Sequence, residues 1–191
     1  MSIRERRERE RVDRERLIIG VARELAEAEG WDAVTTRRLA DRIEYSQPVL
    51  YSHFRGKGAI MAAVAVEGFA ELAAELRAAR TAAAGPRAAL AATAEAYARF
   101  AETRPTLYEA MFTETAELTF GGPDAPAALR DAFGELREAV RAAGDDDDLD
   151  VRTEVLWAGL HGLVALTRGG RLPRDRHARR LALLIDRFAP H

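Results

Sequence analysis

The 191 residues carry 29 Lys and Arg against 31 Asp and Glu, 48% of them are hydrophobic, and none is cysteine. Without thiols there are no disulfides and no Cys-based zinc or iron–sulfur sites, and a reducing cytoplasm suits the chain. No apolar run approaches the about 18 residues of a membrane span, and the N-terminus, charged from Arg4 onward, lacks the apolar core of a secretory signal. The net charge of −2 argues against general coating of nucleic acid, but charge is unevenly spread: residues 1–60 hold 13 basic against 11 acidic groups, and the remainder 16 against 20.

Alanine dominates the apolar fraction and strand-forming runs are few, so the expected fold is all-α, about nine helices. Residues 4–16 are almost all Arg and Glu. Pairs such as Arg6/Glu10 and Arg11/Glu15 stand four apart with opposite sign and support a solvated helix. This charged segment, 1–16, reads as an extension of the first helix or as an arm whose arginines reach DNA. The first helix proper runs from about Val12 to Glu29, with Leu17, Ile18, Val21, Ala22 and Leu25 inward and Gly30 ending it. Thr35 is placed to cap a second helix, flanked by Val34 and Leu39 as a hydrophobic staple; Ser46 is placed to cap a third, where Pro48 is tolerated in the first turn. Further helices are expected at about 57–80, 86–102, 104–118, 124–143, 149–168 and 174–188, punctuated by Gly85-Pro86, Gly121-Gly122-Pro123, Gly144 and Gly169-Gly170. Asp145 to Asp148 form an acidic loop that favours the start of the eighth helix through its dipole.

Residues 35–57 read as two short helices joined by a tight turn, a helix-turn-helix suited to a DNA major groove. Leu50 and Phe54, four apart, point inward. Gln47, Pro48, Val49 and Ser52 then face outward, where an amide can pair with the N6/N7 edge of adenine and an apolar group can touch a thymine methyl. Thr36, Tyr51, His53 and Lys57 suit phosphate oxygens, and Arg37 could reach a phosphate or a guanine edge.

The match extends over about 45 positions. Gly30, Thr35-Thr36, Leu39-Ala40, Leu50-Tyr51-Ser52-His53-Phe54 and Lys57 together resemble the DNA-binding domain of the tetracycline-repressor family. The resemblance implies that Arg37, Gln47, Pro48 and Val49 read bases and that Thr36, Tyr51, His53 and Lys57 anchor the backbone. The chain departs from the family pattern at the turn, where Glu44-Tyr45 replaces Gly and a small apolar residue; a positive φ at Glu44 would strain it. Two later segments carry the likeness further: Pro105–Phe112, and Trp157–Leu166, which resembles the Trp…His-Gly signature of one branch of the family's C-terminal domains.

The expected organisation is therefore a helix-turn-helix domain at 12–57 and a larger helical ligand-binding and dimerisation domain at 58–191. Ala158, Gly159, Gly162 and Ala165, with Leu163, Leu166 and the Leu181, Leu183, Leu184, Ile185 patch, suggest a homodimer built through the eighth and ninth helices. Tyr97, Phe100, Leu107, Tyr108, Met111, Phe112, Trp157 and His161 are the candidate pocket residues, large and mostly apolar with a few polar tips. No catalytic or metal site is expected, and no cofactor. His53, His161, His177 and His191 have no ligand spacing, Asp145–Asp148 lacks that of a calcium loop, and there is no Gly-rich phosphate loop or nucleophile elbow. The expected function is that of a dimeric repressor on a palindromic DNA operator, released by a small, largely apolar inducer. A helical ligand-binding or adaptor protein without DNA binding is the alternative.

Overall fold

The computed structural model describes residues 2–112, 118–120, 122, 124–144 and 147–189. Every regular element among them is helical: α1 (Ile3–Glu29), α2 (Thr36–Arg42), α3 (Gln47–His53), α4 (Lys57–Thr81), α5 (Pro86–Thr103), α6 (Pro105–Phe112), α7 (Ala127–Ala143), α8 (Leu149–Arg168) and α9 (His177–Phe188), with 3-10 turns at Trp31–Ala33 and Arg174–Arg176. No helix among the described residues is long and apolar enough to cross a membrane.

Local sequence explains most of the boundaries. Ser2 and Glu5 form a reciprocal capping box, so the charged segment belongs to α1 as its N-terminal half. The Arg6–Glu10 and Arg11–Glu15 pairs form at 3.6 and 3.0 Å. Gly30 stops the helix at φ 84°, and the Thr35 hydroxyl accepts from the Arg38 N–H at 3.2 Å to start α2. Four expectations change. Leu17 is exposed, and Ile19 and Ala26 are buried in its stead, because the apolar stripe meets its neighbours along the edge carrying Ile18, Ala22 and Leu25. The sixth helix does not reach 118. Leu118–Phe120 are not helical, and Phe120 packs edge-on against Phe69 with ring centroids 5.8 Å apart; residues 113–117 lie outside the described residues. The seventh helix starts at Ala127, because Pro126 disfavours helical geometry at Ala125; Gly121 and Pro123 lie outside the described residues. The ninth opens as a 3-10 turn before becoming α-helical at His177. Of the acidic loop, Asp145 and Asp146 lie outside the described residues, and Asp148 stands at the N-cap of α8.

The chain divides into two compact units, Met1–Gly68 with Pro105–Thr119, and Phe69–Arg104 with Phe120–His191, a partition that differs from the boundary at 57/58 read from sequence. In the first unit α6 joins α1–α3. The Trp31 indole N–H donates to the Thr106 carbonyl at 2.9 Å, and a side chain at Gly68 would stand 2.7 Å from the Met111 sulfur and 3.0 Å from a Leu107 methyl, so any larger residue there would force these α6 side chains to shift. In the second unit α5 packs on α7, α8 and α9 around the fully buried Tyr97, Phe100 and Leu90.

Candidate nucleic-acid interface and ligand cavity

The helix-turn-helix is held from beneath. Leu39, Ala40 and Leu50 are buried, as are Ile18, Ala22 and Leu25 of α1, the helix that packs on both α2 and α3, and Ile43 and Phe54 are half-buried. Arg38 grips Glu29 with two parallel hydrogen bonds of 2.9 and 2.7 Å, and these hold the Glu29 carboxyl below its ordinary pKa while tying α2 to the end of α1. Sequence reading missed this brace, since nothing in the spacing of Glu29 and Arg38 marks them as partners.

Glu44 has φ 58°, the left-handed conformation that the family pattern fills with glycine. The turn is nevertheless closed, with the Tyr45 N–H donating to the Ala40 carbonyl at 2.9 Å. An L-residue in this conformation costs about 1–2 kcal/mol, partly offset by the entropy that glycine would lose, about 0.5–1 kcal/mol. Glu44→Gly is therefore expected to raise stability by a few tenths to about 1 kcal/mol in denaturant unfolding. A lower unfolding midpoint would mean the strain is relieved elsewhere.

The proposed base-facing residues are all exposed: Arg37 on α2 and Gln47, Pro48 and Val49 in the first turn of α3. Ser52 is also exposed, but its hydroxyl donates to the Val49 carbonyl at 2.6 Å. Tyr51, 50% exposed, brings its hydroxyl to 3.4 Å from that of Thr36, so these two oxygens form one polar spot between the helices. Lys57 donates to the Trp31 carbonyl at 2.7 Å. The His53 side chain is only 7% exposed, with Nδ1 3.5 Å from a Glu15 oxygen, and so borders α1 more than solvent.

The second unit contains a cavity of about 780 Å³. Tyr97 and Trp157 line it, joined by a hydrogen bond of 3.2 Å from the indole N–H to the phenol oxygen. Phe133 meets Trp157 edge-on at 6.4 Å, and Phe69, Phe120, Leu129 and Leu136 complete the apolar wall. Arg137 and Asp150, also in the lining, pair at 2.6 Å. The other pocket candidates stand elsewhere. Leu107, Tyr108, Met111 and Phe112 belong to α6 of the first unit, where the first three are buried and Phe112 lies 4.7 Å from the Tyr108 ring. Phe100 is buried core beneath Arg104, and His161 is half-buried outside the cavity lining, its pKa pushed down by burial. Of the wall residues that sequence reading missed, Phe69 sits on α4, Phe120 lies outside any helix, and Leu129, Phe133 and Leu136 follow helical spacing on α7; that periodicity marks a buried face without saying whether it meets protein or void. Among the described residues no cluster of His, Asp and Glu could hold a metal.

A family model described as bacterial regulatory proteins of the tetR family matches residues 18–64, and one described as a tetracyclin repressor-like C-terminal domain matches residues 90–188, more than half the chain. The chain belongs to the tetR family. It is 34% identical over 96 residues to the uncharacterized HTH-type transcriptional regulator YobS of Bacillus subtilis (strain 168), covering 50% of each chain. It is 44% identical over 54 residues, 28% of this chain and 25% of the other, to the class A tetracycline repressor protein from transposon 1721 of Escherichia coli. The chain thus spans half or less of the length of the curated relatives it matches. A protein of unknown function from Rhodococcus sp. RHA1 shares the fold with a TM-score of 0.71 and 26% identity, over 91% of this chain and 92% of that one. BioQ, crystallised with its natural double-stranded DNA operator, superposes with a TM-score of 0.68 at 23% identity, over 93% and 98% of the two chains, a likeness of fold. TetR-family regulators are non-enzymatic DNA-binding transcription factors. The C-terminal match includes the Trp157–Leu166 stretch.

Proposed function

We propose that this tetR-family regulator is a homodimeric repressor that binds a near-palindromic operator and is released by a small, largely apolar molecule. One observation carries the reading: a rigidly seated α3 whose outward first turn, Gln47-Pro48-Val49, stands beside the polar Thr36–Tyr51 pair. A single such reader per chain needs a two-fold partner to read a palindrome, with half-sites about 34–36 Å apart or a multiple of that.

The dimer surface is α8 with α9. Val151, Val155, Ala158, Gly162, Ala165 and Leu166 recur along α8 at helical spacing, and Val151, Val155 and Leu166 are exposed. Leu183 on α9 is exposed as well, whereas Leu181 and Ile185 are buried in the subunit's own core. Gly159 serves the subunit too, since a Cβ there would lie 3.0 Å from the Leu184 methyls, while Gly162 opens onto free space.

The cavity supplies the sensor. Its aromatic wall suits a flat apolar molecule, and the Tyr97, Arg137 and Asp150 polar groups would orient it. A ligand that favours the operator-incompetent arrangement must itself bind operator-bound protein more weakly by the same factor. Because α4 contributes to both units, it is the route by which occupancy of one reaches the other. Repression acts on the chromosome, so the protein works in the cytoplasm.

The test is selection of duplexes from a random pool, followed by affinity measurements on the selected sequence. Gln47→Ala should relax preference at one base step per half-site, by about 1–3 kcal/mol, and Tyr51→Phe should weaken all sequences alike. An unchanged preference in the Gln47 variant would remove that residue from base reading. Ala132→Trp, which fills the cavity from a buried wall position, should abolish the response to inducer while leaving operator affinity in place. If the filled variant still responds, the sensor lies elsewhere.

A further inference from the structure

The charged half of α1 is not a uniformly solvated rod. Arg4, Arg7, Arg11 and Arg14 follow one another at spacings of three and four, and the series continues without a break into Ile18, Ala22 and Leu25, three of the five residues that α1 buries; the other two, Ile19 and Ala26, lie beside them. The arginines thus extend the same side of the helix that packs on α2 and α3. That side is located independently by Glu15, which stands beside the last residue of α3, His53, at 3.5 Å.

Pairing sharpens the pattern. Arg6 is held by Glu10 and Arg16 by Asp13, both off this seam. On the seam Arg11 is held by Glu15, and Glu8 lies close enough to act on it electrostatically. Arg4, Arg7 and Arg14 are exposed and their guanidinium groups have no hydrogen bond or ion pair among the described residues; Arg9 shares that condition on the opposite side. The acids of this segment thus hold Arg6 and Arg16 off the seam and Arg11 on it, and leave Arg4, Arg7 and Arg14 on the seam, with Arg9 opposite, without a side-chain partner among the described residues. From Arg4 to Ile18 the helix advances about 21 Å, at ~1.5 Å per residue, enough to follow a duplex beyond the groove that α3 enters.

We propose that α1 is a second DNA-contacting element: Arg4, Arg7 and Arg14 form a row that binds the phosphate backbone flanking each half-site. This rests on the DNA-binding reading above and adds a sequence-independent contact outside the helix-turn-helix. Arginine is suited to the task because its planar fork meets phosphate oxygens bidentately.

The test compares the unaltered chain with Arg4→Ala/Arg7→Ala/Arg14→Ala and with Arg6→Ala/Arg9→Ala/Arg16→Ala. Both triple variants lose the same charge, and alanine preserves the exposed helix. Affinity is measured against salt for the selected duplex and for a random duplex of equal length and composition. The seam variant should bind both duplexes more weakly, with the log–log salt slope shallower by about 0.9 for each phosphate contact removed. The off-seam variant should keep the slope and the sequence preference of the unaltered chain. An unchanged slope in the seam variant, or an equal change in both variants, would overturn the proposal while leaving a DNA-binding regulator. Failure of the unaltered chain to bind any duplex would instead overturn the reading on which it stands, and the proposal with it.

Discussion

A Val155→Arg chain is expected to fold normally, to sediment as a monomer and to lose operator binding. Val155 is 56% exposed on α8, within the row that runs from Val151 to Leu166, so the isolated subunit has little packing there to lose. In the proposed dimer this position belongs to the α8 surface that each subunit presents to its partner. Two guanidinium groups buried in an apolar interface would each require a counter-ion that the surrounding valine, alanine and glycine cannot supply. The consequence for DNA follows from linkage of two readers. A joined pair exceeds a single reader by roughly 10²–10⁴ in affinity without any new contact, and all of that is lost with the partner. Sedimentation and an operator-binding titration measure the two effects on one sample. A Val155→Arg protein that stays dimeric would move the interface away from α8. Leu183→Arg, at 58% exposure on α9, tests the other half of the proposed surface in the same way.

The second large effect concerns stability. Glu135 on α7 is buried, yet it is ionised between two arginines of α4: Arg77 Nε at 2.6 Å, and Arg80 through Nε at 2.9 Å and Nη2 at 2.6 Å. Burial alone pushes this carboxyl up, and the hydrogen bonds and charges of Arg77 and Arg80 outweigh it, so its pKa lies below the ordinary value. A lowered pKa means that the cluster stabilises the fold above the unfolded carboxyl's pKa and that this contribution is lost as pH falls through the lowered folded value. Replacing both arginines by leucine reverses the sign. The stranded carboxylate costs about 3–5 kcal/mol at neutral pH, and its pKa now lies above the unfolded one. The penalty therefore grows as pH rises through and above the ordinary carboxyl range and shrinks on acidification. Denaturant unfolding of Arg77→Leu/Arg80→Leu at neutral pH and near pH 5 measures this, and adding Glu135→Gln should recover much of the loss and flatten the dependence. A double variant as stable as the unaltered chain at neutral pH would show that Glu135 does not depend on these partners.

Where local rules sufficed, the sequence alone determined the result. Thr35 as a cap, Gly30 and Gly56 as breaks, Leu39 and Leu50 as inward anchors and the outward turn Gln47-Pro48-Val49 are all decided within a few residues of each position, by backbone geometry and helical period. The tetracycline-repressor likeness was legible for the same reason, since its motifs lie on contiguous short helices. Tertiary structure decided what depends on distant partners. Leu107, Tyr108 and Met111 have the chemistry of a pocket wall, but the glycine at 68 lets α6 pack with the first unit, so they are core there and Phe133, Leu129 and Leu136 of α7 face the cavity instead. Leu181 and Ile185 turned inward while Leu183 stayed exposed. Arg38 found Glu29, and Arg77 and Arg80 found Glu135. Helical periodicity says which residues share a face. It carries no information on whether that face meets another helix, a void or water, because that is settled by the closing of loops and the volumes of side chains far along the chain.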